Sequence, residues 1–582
     1  MIKLLKYLRK RDVAYLVAAV GLIICQVWLD LTMPDYTSKL TAAVASGNVQ
    51  MKDVFENGGM MLLCAAGTLI CACLCGYLCA TVAASFAKNV REKLFTSVLA
   101  FSDAETNKFS TPSLITRTSN DVVQTQMFLA MGLQVLIKAP VLAIWAICKI
   151  SSASMEWTWA TAVCVAVIVV CVGLIVFLCY PKFKQIQKLT DELNDVTREN
   201  VSGVRVIRAF NAEDLREEKF ENVNKSVVKN QLFTSRATGL MNPIMSLGMN
   251  GLTLAVYWIG AYLINDAALP DKAAVFGNMT AFTQYSLQVV MAFMMLIMIF
   301  IILPRTLVCA KRINEVLDTK PSIQSGAFDG QSRLKGVIEY KDVNFSFDNG
   351  SENALSDINL KIESGQTIAI IGSTGSGKTS LINLIPRFYD VTGGELLVDG
   401  INVKDYDETA LRDKISVAPQ KAVLFKGDIR HNVAYGVADE EISDDKVKFA
   451  LSVAKADFVN DLEKGIYSEV AQGGTNFSGG QKQRLSIARA VYKSAEIVIF
   501  DDSFSALDYK TDMLVRKAVR EELKDSTVII VAQRIGTVMN ADKIIVLDSG
   551  KIAGAGTHDE LMQNCAIYKE IALSQLSKEE LA

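Results

Sequence analysis

Long stretches without a charged residue constrain this chain more than any other feature. Val13–Leu29, Gly58–Ala87, Trp157–Tyr180, Ala237–Asn265 and Ala273–Pro304 carry no formal charge, and Val122–Cys148 is interrupted only by Lys138. A helix that crosses a bilayer needs about 20 apolar residues, so these runs read as six transmembrane helices rather than buried helices of a soluble domain. Val13–Leu29 is the shortest and borrows uncharged neighbours. Hydrophobic residues make up 51% of the 582 positions and charged ones 21%, but the two are unevenly divided. Spans fill the first part of the chain, and after Arg305 the pattern changes to alternating strand-like and helical segments. A chain of this length exceeds one compact domain. The division read here is a membrane domain over 1–320, a linker over 321–334 and a second domain over 335–582.

Six crossings return the chain to the side on which it began. Lys3, Lys6, Arg9, Lys10 and Arg11 precede the first span, Lys88, Arg91 and Lys93 follow the second, and Lys182, Lys184 and Lys188 follow the fourth. This bias places both ends in the cytoplasm. Met1–Arg11 flows into a span without a convincing cleavage pattern, so the first run is read as retained. Connections near 149–156 and 266–272 are short and external. Segments 88–121 and 182–236 are long and charged, and are expected to extend the helices into the cytoplasm, with turns near 103–109 and 208–215. A net charge of −2 gives no reason to invoke nucleic acid. Twelve cysteines raise a metal or disulfide reading. Most of them lie in spans, where a thiol acts as a small hydrophobe, and only two histidines, His431 and His558, exist to join them.

The second domain holds a full phosphate loop, Gly372-Ser373-Thr374-Gly375-Ser376-Gly377-Lys378-Thr379. Thr367–Ile371 is the expected strand before it, and Ser380 lies in the helix after it. Glycines let the backbone aim its amides at phosphates, Lys378 reaches the β- and γ-phosphates of ATP, and Thr379 offers a hydroxyl to Mg2+. Ile497–Phe500 is a buried strand ending in Asp501, placed to hold magnesium, and in Asp502, placed to orient the attacking water. Gln420 is a weaker candidate for linking the metal to the membrane half. Phe347 is a candidate for stacking on adenine, with core packing as its rival. Phe477-Ser478-Gly479-Gly480-Gln481 opens a helix and offers a second anion-binding turn. One nucleotide is already enclosed by the phosphate loop, so the second turn suits a nucleotide held across a dimer.

These motifs together resemble the ATP-binding cassette exporters, half-transporters with six spans before a P-loop ATPase domain. The resemblance covers essentially the whole chain. Ser505-Ala506-Leu507-Asp508 matches the family's D-loop, and Phe477–Gln481 its signature, with Phe where Leu is usual. Glu199–Phe210 and Ser119–Asp121 are similar to the exporters' intracellular segments. The resemblance implies a polytopic helical membrane domain fused to an α/β ATPase domain, two chains enclosing two ATP molecules, and a bacterial plasma membrane with the ATPase domain in the cytoplasm.

Two departures stand out. The family has glutamate where this chain has Asp502, and a switch histidine where Thr527–Ala532 is followed by Gln533. Aspartate is one methylene shorter, and a misplacement of about 1 Å can cost on the order of a hundredfold in rate. Glutamine donates a hydrogen bond but cannot carry histidine's positive charge. The pair is expected to bind ATP and hydrolyse it poorly, which fits the family's heterodimers of one degenerate and one competent site. The partner would be a non-identical half-transporter with the glutamate and the histidine; a slow homodimeric exporter and an ATP-binding regulatory membrane subunit are the alternatives. Cargo is less constrained. Met291, Met294, Met295 and Met298 suit either a hydrophobic pocket or helix packing. Asn242, Asn250, Gln284 and Gln288 are expected inside the bundle, Pro140 and Pro243 at kinks, and Lys138 snorkelling or facing a cavity. No dense cluster of carboxylates or arginines announces a charged substrate. Hydrophobic or amphipathic compounds are the expected cargo, with lipids or peptides as the alternative.

Overall fold

The computed structural model describes residues 2–46, 50–151, 155–268, 271–347 and 352–575. It divides into two units, one of residues 1–98 with 112–319, the other of 99–111 with 320–582. The external connections read at 149–156 and 266–272 lie partly outside the described residues.

Among the described residues, six helices in the first unit are long and apolar enough to cross a membrane: α1 (Lys10–Ala45), α2 (Met51–Leu99), α4 (Thr111–Ser151), α5 (Met155–Ser202), α6 (Glu213–Asp266) and α7 (Lys272–Asp318). Each outlasts its apolar run, because charged residues flanking the run continue the helical hydrogen bonding into water. The turns at the tips fall at residues 100–102 with Ser110, and at Gly203 and 210–212 on either side of a short helix, Val204–Ala209. Helix α6 breaks at Leu240, three residues before Pro243, whose ring cannot follow an uninterrupted turn. Pro140 sits inside α4, downstream of a π turn at Phe128–Gly132. The centre of this unit is a cluster from five spans: Val27 and Leu31 of α1, Leu142 and Ala146 of α4, Trp157 of α5, Leu252 of α6 and Phe282 of α7. Cys75 and Cys79 of α2 are buried against Ala19 and Ile23 of α1.

Asn242 and Asn250 depart from expectation. Both are exposed on α6 rather than turned into the bundle, since eight residues of helix bring them to within about 80° of one face. Gln284 and Gln288 are half-buried. The larger difference concerns charge. Helix α1 continues past the apolar run and carries Asp30 and Asp35 there, and both find lysines of α4.

In the second unit, β1 (Ile338–Phe345), β2 (Leu355–Ile362) and β4 (Gly393–Val398) form an antiparallel sheet with Ile401–Asn402 at its edge. A second sheet runs β9-β8-β3-β7-β6-β5. Its members are β3 (Thr367–Gly372), β5 (Ile415–Ala418), β6 (Ile497–Asp501), β7 (Thr527–Val531), β8 (Lys543–Asp548) and β9 (Lys551–Gly556). Pairing is parallel except between β8 and β9. Strands β3, β6 and β7 are nearly unbroken Ile and Val because both faces are covered, as parallel strands require. Adjacent parallel strands end at one edge of the sheet, and there Gly372, Asp501 and Ala532 come together.

Residues 99–111 pack on this unit through helix α3 (Asp103–Phe109). Ser102 caps α3, and Glu105 returns a hydrogen bond to the Ser102 amide at 2.9 Å and accepts the Ser322 amide at 3.2 Å. Burial works against the charged form of Glu105, but these Ser102 and Ser322 bonds hold its carboxyl below the ordinary range.

Candidate functional site

The turn after β3 is built by glycine. Gly375 and Gly377 have φ of +83° and +96°, and a Cβ on Gly377 would stand 2.8 Å from the Ala354 carbonyl oxygen. Gly377 is the N-cap of helix α8 (Lys378–Asn383). Ser373, Thr374, Gly375 and Thr379 are exposed, and Ser376 is buried with its hydroxyl unpartnered among the described residues. Lys378 folds back to donate to the carbonyls of Gly372 at 2.9 Å and Ser373 at 2.7 Å. Burial pushes its amine below the ordinary value, against the pull of Asp502 and Asp501.

Asp501 ends β6 with its Oδ1 3.4 Å from the Thr379 hydroxyl. Burial raises its carboxyl, with Thr379 and Lys378 opposing and Asp502 adding to the rise. Asp502 lies in the left-handed region at φ +47°, its amide donating to the Val531 carbonyl. One oxygen of Asp502 accepts from the Gln533 amide at 2.9 Å and from the Gln420 amide at 3.4 Å. Thus Lys378, Thr379, Gln420, Asp501, Asp502 and Gln533 meet at one edge of the sheet.

Helix α9 (Gly479–Lys493) carries the second turn. Ser478 caps it, accepting from the Gln481 amide at 3.3 Å while its own amide donates to the Gln481 side chain at 2.8 Å. Gly480 lies against Ala506, where a Cβ would come within 3.3 Å of the carbonyl oxygen. Asp508 caps the helix Tyr509–Glu522 through the Thr511 amide, a bond that holds its carboxyl low. Phe477 is buried in the core against Phe458, so only its backbone reaches the turn. Among the described residues no hydrogen bond joins this turn to the phosphate loop.

Phe347 is 58% exposed and meets Phe345 and Tyr389 edge-on, at 4.9 and 5.5 Å between ring centres. Tyr389 lies beside the Asp103 carboxylate of α3, and burial together with that carboxylate pushes its phenol up to about 12. Sequence reasoning passed over Tyr389. It also missed Gln575, which accepts from the Ile535 amide and donates to the Gln533 carbonyl, each at 2.8 Å, and so pins the loop that carries Gln533. Neither contact has a local signature.

Six candidate spans fused to a phosphate-loop ATPase fold define a nucleotide-powered membrane transporter. Residues 14–293 match the ABC transporter transmembrane region and residues 355–505 the ABC transporter family. An uncharacterized ABC transporter ATP-binding protein of Mycobacterium bovis is 38% identical over 550 residues, covering 93% of each chain. An ATP-dependent lipid A-core flippase of Pseudomonas fluorescens is 28% identical over 516 residues, 88% of this chain and 84% of the flippase. A bacterial Atm1-family ABC exporter solved with ATP bound shares the fold, with a TM-score of 0.78, 22% identity and coverage of 96% and 97%. The chain belongs to the ABC transporter family. It is a multi-pass membrane protein that binds ATP.

Proposed function

We propose that this chain is the degenerate-site half of a heterodimeric exporter in a bacterial plasma membrane, moving hydrophobic or amphipathic compounds outward. One observation carries the reading: the carboxylate at the water-orienting position is a short aspartate, and both amides that reach it land on the same Asp502 oxygen. An acceptor occupied in this way is poorly placed to take a proton from water. Nucleotide binding requires neither Asp502 nor Gln533. The phosphate loop and Lys378 would hold ATP, and Phe347 would stack on adenine. Thr379, Asp501 and Gln420 would hold Mg2+; the first two present hard oxygens 3.4 Å apart, the donor type that ion takes. Bound magnesium would neutralise phosphate charge. Ser478–Gln481, with Asp508 behind it, would complete the partner's site.

Exposed Asn242 and Asn250 support a second chain, because amides at membrane depth need protein or water rather than hydrocarbon beside them. Intact-complex mass of the transporter, purified gently from its native membrane, is expected to show this chain with one different half-transporter in equal amounts. A mass of two identical chains would sink the heterodimer. Lipid export is the second reading, favoured by the likeness to lipid A-core flippases.

Tyr389 connects the proposed adenine contact to α3, at the end of α2. Tyr389→Phe, which removes only the hydroxyl beside the Asp103 carboxylate, is expected to leave basal ATP hydrolysis within about twofold and to reduce its stimulation by transported compounds several-fold. Parallel loss of basal and stimulated rates would mean that Tyr389 serves packing alone.

A further inference from the structure

Two ion pairs cross from α1 to α4 at the level of the spans. Lys138 lies 3.5 Å from Asp30, and Lys149 lies 2.7 Å from Asp35. Helix α7 closes on the same two carboxylate positions. The Tyr285 hydroxyl donates to Asp35, and the Gln288 amide donates to the Asp30 carbonyl at 3.2 Å. All four charged side chains remain partly exposed, from 23% for Lys138 to 40% for Asp35. Charge at membrane depth is costly against hydrocarbon, so the edge where α1, α4 and α7 meet faces water or protein. Other surfaces suit lipid: α2 exposes Leu62, Leu63 and Leu69, and α5 exposes Val163, Val170 and Phe177.

Below this polar level α7 changes chemistry without changing face. At 100° per residue, Gln284, Gln288, Met291, Met295 and Met298 fall within an arc of about 80°. Met291 and Met298 are exposed. The glutamines therefore stand at the level of the ion pairs, and the flexible thioethers extend about 15 Å along the helix from Gln288. The buried Gln288 Oε1 has no hydrogen-bond partner among the described residues. An unmatched acceptor beside an acid and a base favours a ligand that brings a donor of its own.

We propose that this edge binds the head group of a zwitterionic amphipath, with its apolar tail along the methionines. Lys138 takes the anionic group. Asp30 and Gln288 Oε1 take the ammonium. A phospholipid-like molecule bearing both an amine and a phosphate is the simplest member of the class. The site rests on the export reading above and narrows its cargo.

Equilibrium binding to the assembled transporter in maltoside detergent tests it without any transport step. The probes are radiolabelled lysophosphatidylethanolamine, lysophosphatidylglycerol and a monoacylglycerol with the same tail. The zwitterion is expected to bind at least about tenfold more tightly than either of the others. Lys138→Met and Gln288→Leu are each expected to shrink that advantage by about tenfold while leaving the monoacylglycerol unchanged, the loss of one charge-assisted or buried hydrogen bond. The pair-preserving exchange of Asp30→Lys with Lys138→Asp keeps the helices pinned if either single variant fails to fold, and should bind the zwitterion less tightly by a similar factor. Equal affinity for the three probes, or variants that weaken all three alike, would overturn the proposal and leave the pairs as pins between helices. ATP-driven movement of the zwitterion in proteoliposomes is a separate readout. Its absence with head-group discrimination intact would defeat the export reading and spare the site.

Discussion

Asp502→Glu combined with Gln533→His is expected to raise ATP hydrolysis at this chain's own phosphate loop on the order of a hundredfold. The measurement uses a transporter whose partner has its catalytic glutamate replaced by glutamine, so that turnover reports this site alone. Physical grounds for the size lie in reach and in hydrogen bonding. A further methylene advances the carboxylate by about 1.5 Å from a backbone fixed by the left-handed turn at Asp502 and its bond to Val531. Removing the Gln533 amide frees the oxygen it now occupies at 2.9 Å, and histidine supplies a group that can be charged. Asp502→Glu alone is expected to recover less, because Gln533 would still hold the acceptor. A double variant no faster than the natural chain would mean that these two residues do not limit hydrolysis. The degenerate-site assignment would then fall.

The phosphate loop and the two acids after β6 were legible because their chemistry is local. Glycines at positive φ, a lysine one turn on and a buried strand ending in acid are fixed by neighbours in sequence, and parallel pairing then brings the strand ends together. Six spans were legible for a similar reason, since apolar length alone decides what can cross a bilayer. Contacts between distant segments were not. Asp30 stands just past the end of an apolar run and reads as a boundary residue until α1 continues beyond it and Lys138 arrives from α4. Tyr389 and Asp103 are far apart in the chain, and nothing in either neighbourhood marks the other. Gln575 lies near the end of the described chain and reveals its purpose only when the loop at Gln533 folds against it. Asn242 and Asn250 point to the opposite limit: an exposed helix face cannot be distinguished from a core face by its composition.

Two substitutions in this one chain should part company when the assembled transporter is assayed with a natural partner. Lys378→Ala removes the ammonium from this chain's phosphate loop and is expected to lower total hydrolysis by less than about fivefold, since in the proposed arrangement that loop contributes binding more than turnover. Gly480→Asp places a carboxylate in the turn at Ser478–Gln481, where even a Cβ comes within 3.3 Å of the Ala506 carbonyl oxygen. In the proposed arrangement that turn faces the γ-phosphate of the partner's nucleotide, so a negative charge is set against the charge developing in the transition state. Loss of a single preorganised donor at such a position costs about a hundredfold to a thousandfold, and a repelling group should cost no less. Hydrolysis is therefore expected to fall on the order of a hundredfold or more, with the damage far from this chain's own Lys378. Steady-state ATPase rates of the two variants, measured beside photolabelling with an azido nucleotide to verify that each chain still binds, give the ratio directly. A homodimer would lose activity in both variants alike, because every site would contain one altered loop or one altered turn. The asymmetry between the two substitutions thus tests the division of labour independently of what the transporter carries.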